Sequence, residues 1–441
     1  MSHPQLLRPR VLLQRLLQLT VLGLLVGLAC WPFNLLDHWQ DTLLRLLPTY
    51  TGNEWSSTAL ALALAPLVVA PLVVWLQSGL WARGAGSGIP QTMASIEEPG
   101  EASRLLGLVP TLQRLGLWGL ATLALMPLGR EGPVVQVGAA VAQGLRRRFP
   151  GWLSELKDSD LLAVAAGAGL AGGFNTPLMG AVFVAEELTS SFHAALLWPA
   201  LVVCAVAAAF SNITGQPLFA LGLLGTEPIE ILQVLWALPI GLLGGLLGAV
   251  FGQLLLLTTR RFRSLARRMP LRLGLAVGTV LSGFALASGG ASGGDGEALM
   301  SHLIAGNALG GPAGDLLTLA VRLFGPVLAL GAGIPGGLID PSFAFGAVLG
   351  RSIADLAGAG GLGLALGMAA GLAGATQLPV MTVLFALRLA GDQQLLPGIL
   401  IAAVLGAYVS RLLLAKPIYH ALKDLTMPEG GGSRRSSLAD D

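Results

Sequence analysis

Three segments of the chain place glycine shortly before proline, an order that can begin a helix. They are Gly86-Ser-Gly-Ile-Pro90, Gly129-Arg-Glu-Gly-Pro133 and Gly333-Ile-Pro-Gly-Gly-Leu-Ile-Asp-Pro341. Proline suits the first helical turn, where unpaired N–H groups and about half a positive charge are exposed. Several such helix starts brought together would bind an anion without a full cation, so the anion could still leave. The motif positions are Gly86, Pro90, Gly129, Arg130, Gly132, Pro133, Gly337 and Pro341.

Two polar side chains lie within these segments. Ser87 could donate its hydroxyl to an anion, or it could cap its own helix. Glu131 stands at a helix start, where a carboxylate is favoured because it satisfies first-turn amides. A carboxylate in that place could also compete with the anion and leave when protonated. That competition would be a physical route to coupled proton and anion movement.

An acidic pair and a tyrosine lie outside the three segments. Glu186 and Glu187 end a short apolar run that begins at Pro177. Adjacent helical residues point about 100° apart, so at most one of the pair faces a given interior path. The pair is either a solvated helix end or, because ionisable residues at membrane depth are functional by default, part of a proton route. Tyr419, one of three tyrosines, indicates by itself an interfacial aromatic anchor.

The elements that must position these residues are apolar and often short. Of the 441 residues, 54% are hydrophobic and 11% charged, whereas a soluble domain carries about 25% charged residues. A spanning helix needs about 20 residues, so the shorter runs at 161–173, 177–185 and 378–390 predict half-helices that end inside the protein. The 61 glycines would let such helices approach one another closely.

The second half of the chain repeats the first in two blocks. The first block matches Gly129, Pro133 and Gly138 with Gly337, Pro341 and Gly346 at equal spacing. The second matches the run 168–172, Pro177, Met179 and Phe183 with the run 370–374, Pro379, Met381 and Phe385. Repeated halves with interrupted apolar segments are typical of a secondary transporter or channel whose substrate binds at the repeat interface. We therefore expect the breaks to form the binding site.

Other classes of protein fit the composition poorly. Basic residues cluster at 8–15, 146–148 and 260–268, between apolar segments, which indicates cytoplasmic loops and not a nucleic-acid surface. Cys30 and Cys204 lie in apolar runs, where a free cysteine behaves as a small buried hydrophobe. The histidines show no metal-ligand spacing. The sequence predicts no metal site, no redox cofactor and no nucleic-acid partner.

The three segments, together with Phe174-Asn-Thr-Pro177 running to Glu186 and Glu187, resemble the CLC family of chloride channels and chloride/proton antiporters. The order G-S-G-I-P, G-R-E-G-P and a third Gly-rich break one repeat later carries the resemblance, which extends over residues 15–425. It implies an all-α polytopic membrane protein with two inverted repeats of tilted and broken transmembrane helices. It also implies a homodimer with one pathway in each subunit.

Residue roles follow from the same resemblance. The anion-binding residues would be Ser87, Gly88, Ile89, Leu338, Ile339 and Tyr419. Ser87 resembles the family's central coordinating serine, and serine there favours chloride because nitrate-preferring members tend to carry proline. Glu131 resembles the gating glutamate. Glu187 resembles the inner proton-transfer glutamate typical of antiporters, so it favours exchange over a passive channel.

The third segment departs from the family pattern G-G-x-F-x-P. Ile339 stands where phenylalanine is expected, and Asp340 precedes the proline. The backbone amides of Leu338 and Ile339 could still face the anion. Asp340 is a second acid at a helix start, and we interpret it as a helix cap in preference to a gating group.

The sequence predicts one membrane transport domain over residues 1–425, with repeats at 15–215 and 228–422 and a disordered cytoplasmic tail at 428–441. No regulatory CBS domain follows residue 425, which resembles the shorter bacterial architecture, so a bacterial inner membrane is the expected location. The expected function is chloride/proton antiport, with chloride as substrate and no cofactor.

Two alternatives remain open. The first is an uncoupled channel for chloride or another small anion such as nitrate or fluoride. The second, a remote one, is an intramembrane serine protease, because Gly290-Ala-Ser-Gly293 resembles the rhomboid nucleophile motif and His302 or His193 could be offered as its base. The duplication has no place in that protease fold.

Overall fold

The computed structural model describes residues 9–211, 224, 231–356, 360–391 and 393–427, and these are almost entirely helical. The predicted tail at 428–441 lies outside the described residues, and so does the junction between the repeats at 216–227, apart from Leu224. The helices are α1 (Pro9–Leu44), α2 (Pro48–Thr51), α3 (Ser57–Ser78), α4 (Ile89–Glu97), α5 (Ala102–Leu105), α6 (Leu108–Leu123), α7 (Glu131–Arg148), α8 (Asp158–Phe174), α9 (Pro177–Phe183), α10 (Ala194–Ser211), α11 (Ile231–Val234), α12 (Ala237–Arg268), α13 (Pro270–Ala287), α14 (Glu297–Ile304), α15 (Gly311–Gly331), α16 (Ile339–Asp355), α17 (Gly360–Thr376), α18 (Pro379–Ala390), α19 (Leu396–Leu413) and α20 (Ile418–Thr426).

Shorter helical turns connect some of these elements. Three 3₁₀ turns and one π-helical turn occur at Ala82–Gly84, Pro99–Glu101, Gln393–Leu395 and Val184–Leu188. Among the described residues the only β pairing is an isolated antiparallel bridge between Gly129 and Gly337. The prediction of an all-α fold is confirmed.

Seven helical stretches of the described chain are long and apolar enough to cross a bilayer. They are Pro9–Leu44, Ser57–Ser78, Ala194–Ser211, Leu232–Arg268, Pro270–Ala287, Gly311–Gly331 and Gln393–Thr426. Shorter apolar helices lie at Gly361–Thr376 and Pro379–Ala390. This mixture is that of a polytopic membrane protein with broken helices, in which backbone that stops short of the bilayer surface is enclosed by other helices.

Matching helices of the two repeats have matching neighbours. In the first half α7 packs against α8, α8 against α10, and α10 against α1. In the second half α16 packs against α17, α17 against α19, and α19 against α12. Two further pairs of matching helices, α3 with α13 and α9 with α18, pack against each other across the boundary between the halves. The duplication found in the sequence is therefore a duplication of packing.

Glycine permits the closest of these helix contacts. A Cβ built on Gly138 of α7 would lie 2.1 Å from the carbonyl oxygen of Ala165 in α8. At the matching place in the second half, a Cβ on Gly346 would lie 2.2 Å from the carbonyl oxygen of Gly367. Side chains larger than hydrogen cannot occupy either position without moving the helices apart.

The loops before the helices also cross from one half to the other. The Gly86 N–H donates to the Gly333 carbonyl at 3.0 Å, and the Gly294 N–H donates to the Leu125 carbonyl at 2.9 Å. Gly294 lies 208 residues after Gly86, and Gly333 lies 208 residues after Leu125, the same spacing that separates Gly129 from Gly337. The two hydrogen bonds are therefore equivalent: in one the first repeat donates to the second, and in the other the second repeat donates to the first.

Candidate functional site

All three predicted helix starts are present. The first segment begins α4 at Ile89, the second begins α7 at Glu131, and the third begins α16 at Ile339. Gly88 precedes α4 with φ of 112°, a conformation that side chains disfavour, and a Cβ on it would lie 2.4 Å from the Gly132 carbonyl oxygen. A helix therefore begins at each break, as the sequence predicts.

The three helix starts meet at one place. A Cβ built on Gly132, in the first turn of α7, would lie 2.4 Å from Ser87 Oγ, so the segment before α4 touches α7. The Ile339 N–H, in the first turn of α16, donates to Glu131 Oε1. The carboxylate of Glu131 is thus bound to the amide end of a helix from the other repeat, where an anion would be favoured.

Glu131 is fully buried, yet only one of its carboxylate oxygens has a hydrogen-bond partner. Its exposed fraction is 0%. Oε2 accepts no hydrogen bond from the residues that the structure describes. A buried carboxylate with only one hydrogen-bonded oxygen is poorly stabilised when charged. The arrangement is suited to a group that is exchanged for another anion or neutralised by a proton.

Two hydroxyl groups near Glu131 are also unpartnered within the described residues. Ser87 Oγ and Tyr419 OH are both shielded from solvent and make no hydrogen bond there. Tyr419 has an exposed fraction of 0%, so it is not an interfacial anchor, and its helix α20 packs against α4. Ser87 does not cap α4. Both hydroxyls keep a free donor, which an anion can accept.

Two of the backbone amides expected to face the anion already donate hydrogen bonds within the protein. The Gly88 N–H donates to Gln91 Oε1 at 3.0 Å, and the Ile339 N–H is occupied by Glu131. Leu338 is buried, and its carbonyl accepts a hydrogen bond from Ser342 Oγ at 2.6 Å. Ile339 occupies the position of the expected phenylalanine and is also fully buried.

Asp340 corrects one sequence interpretation. Its carboxylate is fully buried, and neither oxygen accepts a hydrogen bond from the described parts of the chain. A helix cap requires the side chain to accept a backbone N–H, so the preference for capping is wrong. Asp340 lies beside Glu131, because a Cβ built on Gly129 would be 2.2 Å from Glu131 Oε2 and 2.8 Å from Asp340 Oδ2.

The two adjacent glutamates that follow α9 have different surroundings. A π-helical turn spans Val184–Leu188, a feature often found at functional sites, and it carries both glutamates. Glu186 accepts the Val380 N–H at 3.0 Å and the Met381 N–H at 2.7 Å, so it caps α18 of the other repeat. Glu187 has no such partner. The interpretation as a solvated helix end is wrong for Glu187, which is buried, whereas Glu186 is half-buried and binds the start of α18.

Glu187 points into the protein. Its exposed fraction is 3%, and Oε1 has no hydrogen-bond partner in the described chain. The imidazole of His420 lies nearby, with Nε2 3.8 Å from that oxygen and a side chain that is 35% exposed. His420 follows Tyr419 directly in sequence. It lies between the buried glutamate and the surface, and no local motif indicated this position.

A buried ionic cluster next to the site was also missed. Arg130 donates from Nη1 to Asp37 at 2.5 Å and from Nη2 to Glu297 at 3.1 Å, and Asp295 Oδ2 lies 4.0 Å from Nη2. The arginine is fully buried, and its guanidinium also lies 5.1 Å from the centre of the Phe174 ring. Such a cluster balances charge among residues that are distant in sequence, so no local motif could reveal it.

The segment that resembled a protease motif has a structural role. Arg322 is fully buried and donates to three carbonyl groups of that loop, those of Ala291, Gly293 and Gly294. The ring of His302 packs edge-on against Tyr50 at 5.7 Å. The glycines and Ser292 therefore form a loop folded around an arginine, and the protease interpretation fails.

A wide cavity reaches the site from one side. It has a volume of about 610 Å³ and extends to Gly86 and Gly333, next to Ser87. Its walls carry four arginines, Arg83, Arg104, Arg263 and Arg267. A cleft lined by one sign of charge concentrates ions of the opposite sign, so this mouth attracts anions.

Comparison with known proteins places this geometry in context. A family model described as voltage gated chloride channel matches residues 68–411. The H(+)/Cl(-) exchange transporter ClcA of Yersinia pseudotuberculosis serotype IB (strain PB1/+) is 30% identical over 88% of this chain and 86% of its own. The ClcA of Salmonella arizonae is 29% identical over 95% of this chain and 90% of its own.

Solved structures show the same architecture. A slow cyanobacterial Cl-/H+ antiporter has a TM-score of 0.77 and 22% identity, covering 96% of this chain and 100% of its own. A CLC-type fluoride/proton antiporter has a TM-score of 0.74 and 25% identity, covering 94% of this chain and 99% of its own. The fold of broken helices in two repeats is thus shared along nearly the whole chain.

Proposed function

We propose that this chain, which belongs to the voltage gated chloride channel family, exchanges chloride for protons across a bilayer. It is a transporter and not an enzyme. Relatives that are named H(+)/Cl(-) exchange transporters resemble it over most of its length. Their names support antiport, and the geometry around Glu131 supports a mechanism for it.

The observation that carries the proposal is the bond between Glu131 and the start of α16. The carboxylate accepts the Ile339 N–H, and its other oxygen has no partner in the described chain. A chloride ion would accept hydrogen bonds from the same helix start and the nearby hydroxyls, so carboxylate and chloride compete for one place. Protonation removes the negative charge of Glu131 and with it the attraction to the helix start. Chloride then enters the site, and the proton on Glu131 is the one that is exchanged for it.

The remaining predicted residues have matching roles in this proposal. Ser87 and Tyr419 supply hydroxyl donors, while Ile89 and Leu338 belong to the helix starts that surround the anion. Gly88 permits the close contact of α4 with α7, and its own amide is taken by Gln91. Partial charges bind the chloride without holding it too firmly, since no full cation is required.

Glu187 is the second proton group of the proposal. It is buried and lies 3.8 Å from the partly exposed His420, so protons can reach it from solution without entering the chloride site. Chloride approaches through the cavity lined by arginines. Separate entrances for chloride and for protons are what an exchanger requires.

The assembly and location belong to the same proposal. The protein is integral to the membrane and crosses it several times. We infer a homodimer with one pathway in each subunit, a bacterial inner membrane as its location, and chloride and protons as substrates without a cofactor. Single-molecule bleaching of labelled protein in liposomes tests the homodimer, which predicts two steps.

The decisive experiment measures chloride efflux from liposomes together with external pH. The native protein is compared with Glu131→Ala and Glu187→Gln, and Glu186→Gln is the matched control because its side chain caps a helix. A chloride gradient should drive proton uptake in the native protein and in the control. Both test variants should still move chloride but should move no protons.

Each alternative gives a different result. Chloride flux without proton movement in the native protein would make it an uncoupled channel. Flux of nitrate or fluoride in preference to chloride would change the substrate and leave the exchange intact. Absence of any anion flux from correctly folded protein would contradict the proposal.

A further inference from the structure

The anion site has a counterpart on the other side of the repeat boundary, and that counterpart is acidic. Positions 208 residues apart correspond, so α14 matches α4, and Gly296 matches Gly88. Gly296 and Gly88 have φ of 118° and 112°. Each glycine touches the first turn of its neighbouring helix, α16 or α7. The two places therefore have the same backbone architecture.

The side chains at the two places differ in chemistry. Ser87 corresponds to Asp295, and Gly132 corresponds to Asp340. A neutral hydroxyl and a glycine in the anion site are thus replaced by two carboxylic acids. An acidic pocket repels chloride but can hold protons.

The acids of the counterpart outnumber the positive charges available to them. The charged and titratable groups around Asp340 are Asp37 on α1, Arg130 and Glu131 at the start of α7, Asp295 and Glu297 at the start of α14, Arg322 on α15, and Tyr419 on α20. The helix α17 contributes no ionisable side chain. Arg322 is committed to backbone carbonyls, so Arg130 alone pairs with the carboxylates.

Asp340 is the acid without an ionic contact. Asp37 and Glu297 bind Arg130, and Asp295 lies 4.0 Å from it, so these three acids share the charge of one arginine. Both oxygens of Asp340 lack a hydrogen-bond partner among the described residues, and the side chain is fully buried. Buried charges without partners are costly, so Asp340 is stable there as the neutral acid.

Asp340 is also within reach of Glu131. A Cβ on Gly129 would be 2.2 Å from Glu131 Oε2 and 2.8 Å from Asp340 Oδ2, so these two oxygens are no further apart than the sum of those distances. Both are unpartnered in the described chain. Two buried carboxylates this close repel each other if both are charged, and a proton shared between them removes the repulsion.

We propose that Asp340 is a further proton carrier of the transport pathway, in addition to Glu187, and that it passes its proton to Glu131. This inference rests on the proposed exchange. The carboxylic acid of Asp340 gives its proton to Oε2 of Glu131, directly or through one water, and becomes a carboxylate as Glu131 becomes neutral. Asp340 is then protonated again from solution by way of the acids around Arg130, of which Glu297 has a side chain 17% exposed.

The test replaces Asp340 in the intact protein and measures both fluxes in liposomes. In Asp340→Asn, proton flux should fall by about tenfold or more, since a positioned proton-transfer group has been lost. Chloride flux should stay within about twofold of native, because no donor to the anion has been removed. Asp340→Glu, which keeps an acid, should restore much of the proton flux. Asp355→Asn, at the exposed far end of the same helix, is the matched control and should behave as native.

The outcomes separate the two proposals. Native coupling together with an unchanged proton flux in Asp340→Asn would overturn the role of Asp340 alone. Loss of chloride and proton flux together in a folded variant would also overturn it, because that result indicates a structural role. If the asparagine variant does not fold, Asp340→Ala is measured in its place, with the same expectation. A native protein that moves no protons would overturn the exchange itself.

Discussion

Gly129 and Gly337 exchange both of their backbone hydrogen bonds. The Gly129 N–H donates to Gly337 at 3.1 Å, and the Gly337 N–H donates to Gly129 at 2.8 Å, in an antiparallel bridge. The two glycines are corresponding positions of the two repeats. Two corresponding residues can bind each other reciprocally only if the rotation that relates the repeats passes between them. A two-fold axis therefore relates the repeats at this point, and Glu131 lies two residues from it.

That axis explains why the surroundings of Glu131 are built from both halves. Glu131 follows Gly129 in one repeat, and Ile339 follows Gly337 in the other, so the bridge places the carboxylate of one beside the amide of the other. The same bridge leaves no space for a side chain. A Cβ on Gly337 would be 1.7 Å from Cδ of Glu131.

Gly337→Ala is therefore expected to displace the Glu131 side chain. Overpacking of this kind costs about 1–3 kcal/mol, which thermal unfolding in detergent would detect as a lower Tm. Proton exchange should weaken while chloride flux persists, because the carboxylate can no longer reach the Ile339 amide. The added Glu131→Ala removes the obstructing atoms, so the double variant should have the same Tm as Glu131→Ala alone.

The control for this prediction is Gly144→Ala, since a Cβ on Gly144 would meet no atom within 4 Å. Its Tm should be unchanged or raised, because alanine is favoured over glycine in a helix. Equal losses of stability in the single and double variants would contradict the proposed clash.

Glu186→Ala should destabilise the protein without uncoupling it. The substitution leaves the Val380 and Met381 amides of α18 without their acceptor, at a cost of about 1–2 kcal/mol, as for loss of a helix cap. Thermal unfolding measures the cost, and Glu54→Ala in an exposed loop is the control. Proton-to-chloride coupling equal to that of Glu187→Gln would instead assign Glu186 to the proton path.

His420→Gln should slow proton flux several-fold and leave chloride flux unchanged. Imidazole takes up and releases protons near neutral pH, whereas an amide does not. The measurement is simultaneous recording of both fluxes, with the exposed His38→Gln as the matched control. Native proton flux in His420→Gln would show that Glu187 exchanges protons with solution by another route.

Arg263→Gln combined with Arg267→Gln should lower chloride flux at low ionic strength. These arginines line the cavity that reaches Gly86, and attraction between charges across a wide mouth is screened by salt. Chloride flux is measured at several ionic strengths, and the exposed Arg148→Gln serves as control. A deficit of equal size at high salt would point to a structural defect and contradict electrostatic attraction.

The helix starts and the duplication could be read from local sequence because each depends on neighbouring residues. Glycine before proline breaks a helix and begins another by backbone chemistry alone, and α4, α7 and α16 begin as predicted. The repeated glycines, such as Gly138 and Gly346, are visible as spacing because helix contacts recur at fixed intervals. Composition indicated a membrane protein, and the resemblance of its motifs to a known family implied the all-α fold.

The ionic partners could not be read in this way. An acid in a first turn usually caps its helix, so the sequence predicts a cap at Asp340. Only the tertiary structure, which brings Gly129 and Glu131 close to it, shows that its carboxylate has no donor among the described residues. Arg130 finds Asp37 and Glu297 from distant parts of the chain. The division of labour between Glu186 and Glu187 likewise depends on where α18 begins.

The primary structure therefore established the membrane fold, its two repeats and the residues that begin its broken helices, since each is a property of residues close together in the chain. Folding decided which of those residues face each other. A carboxylate is a cap, a gate or a proton carrier according to the donors and charges that approach it, and around Glu131 and Asp340 these come from the opposite repeat.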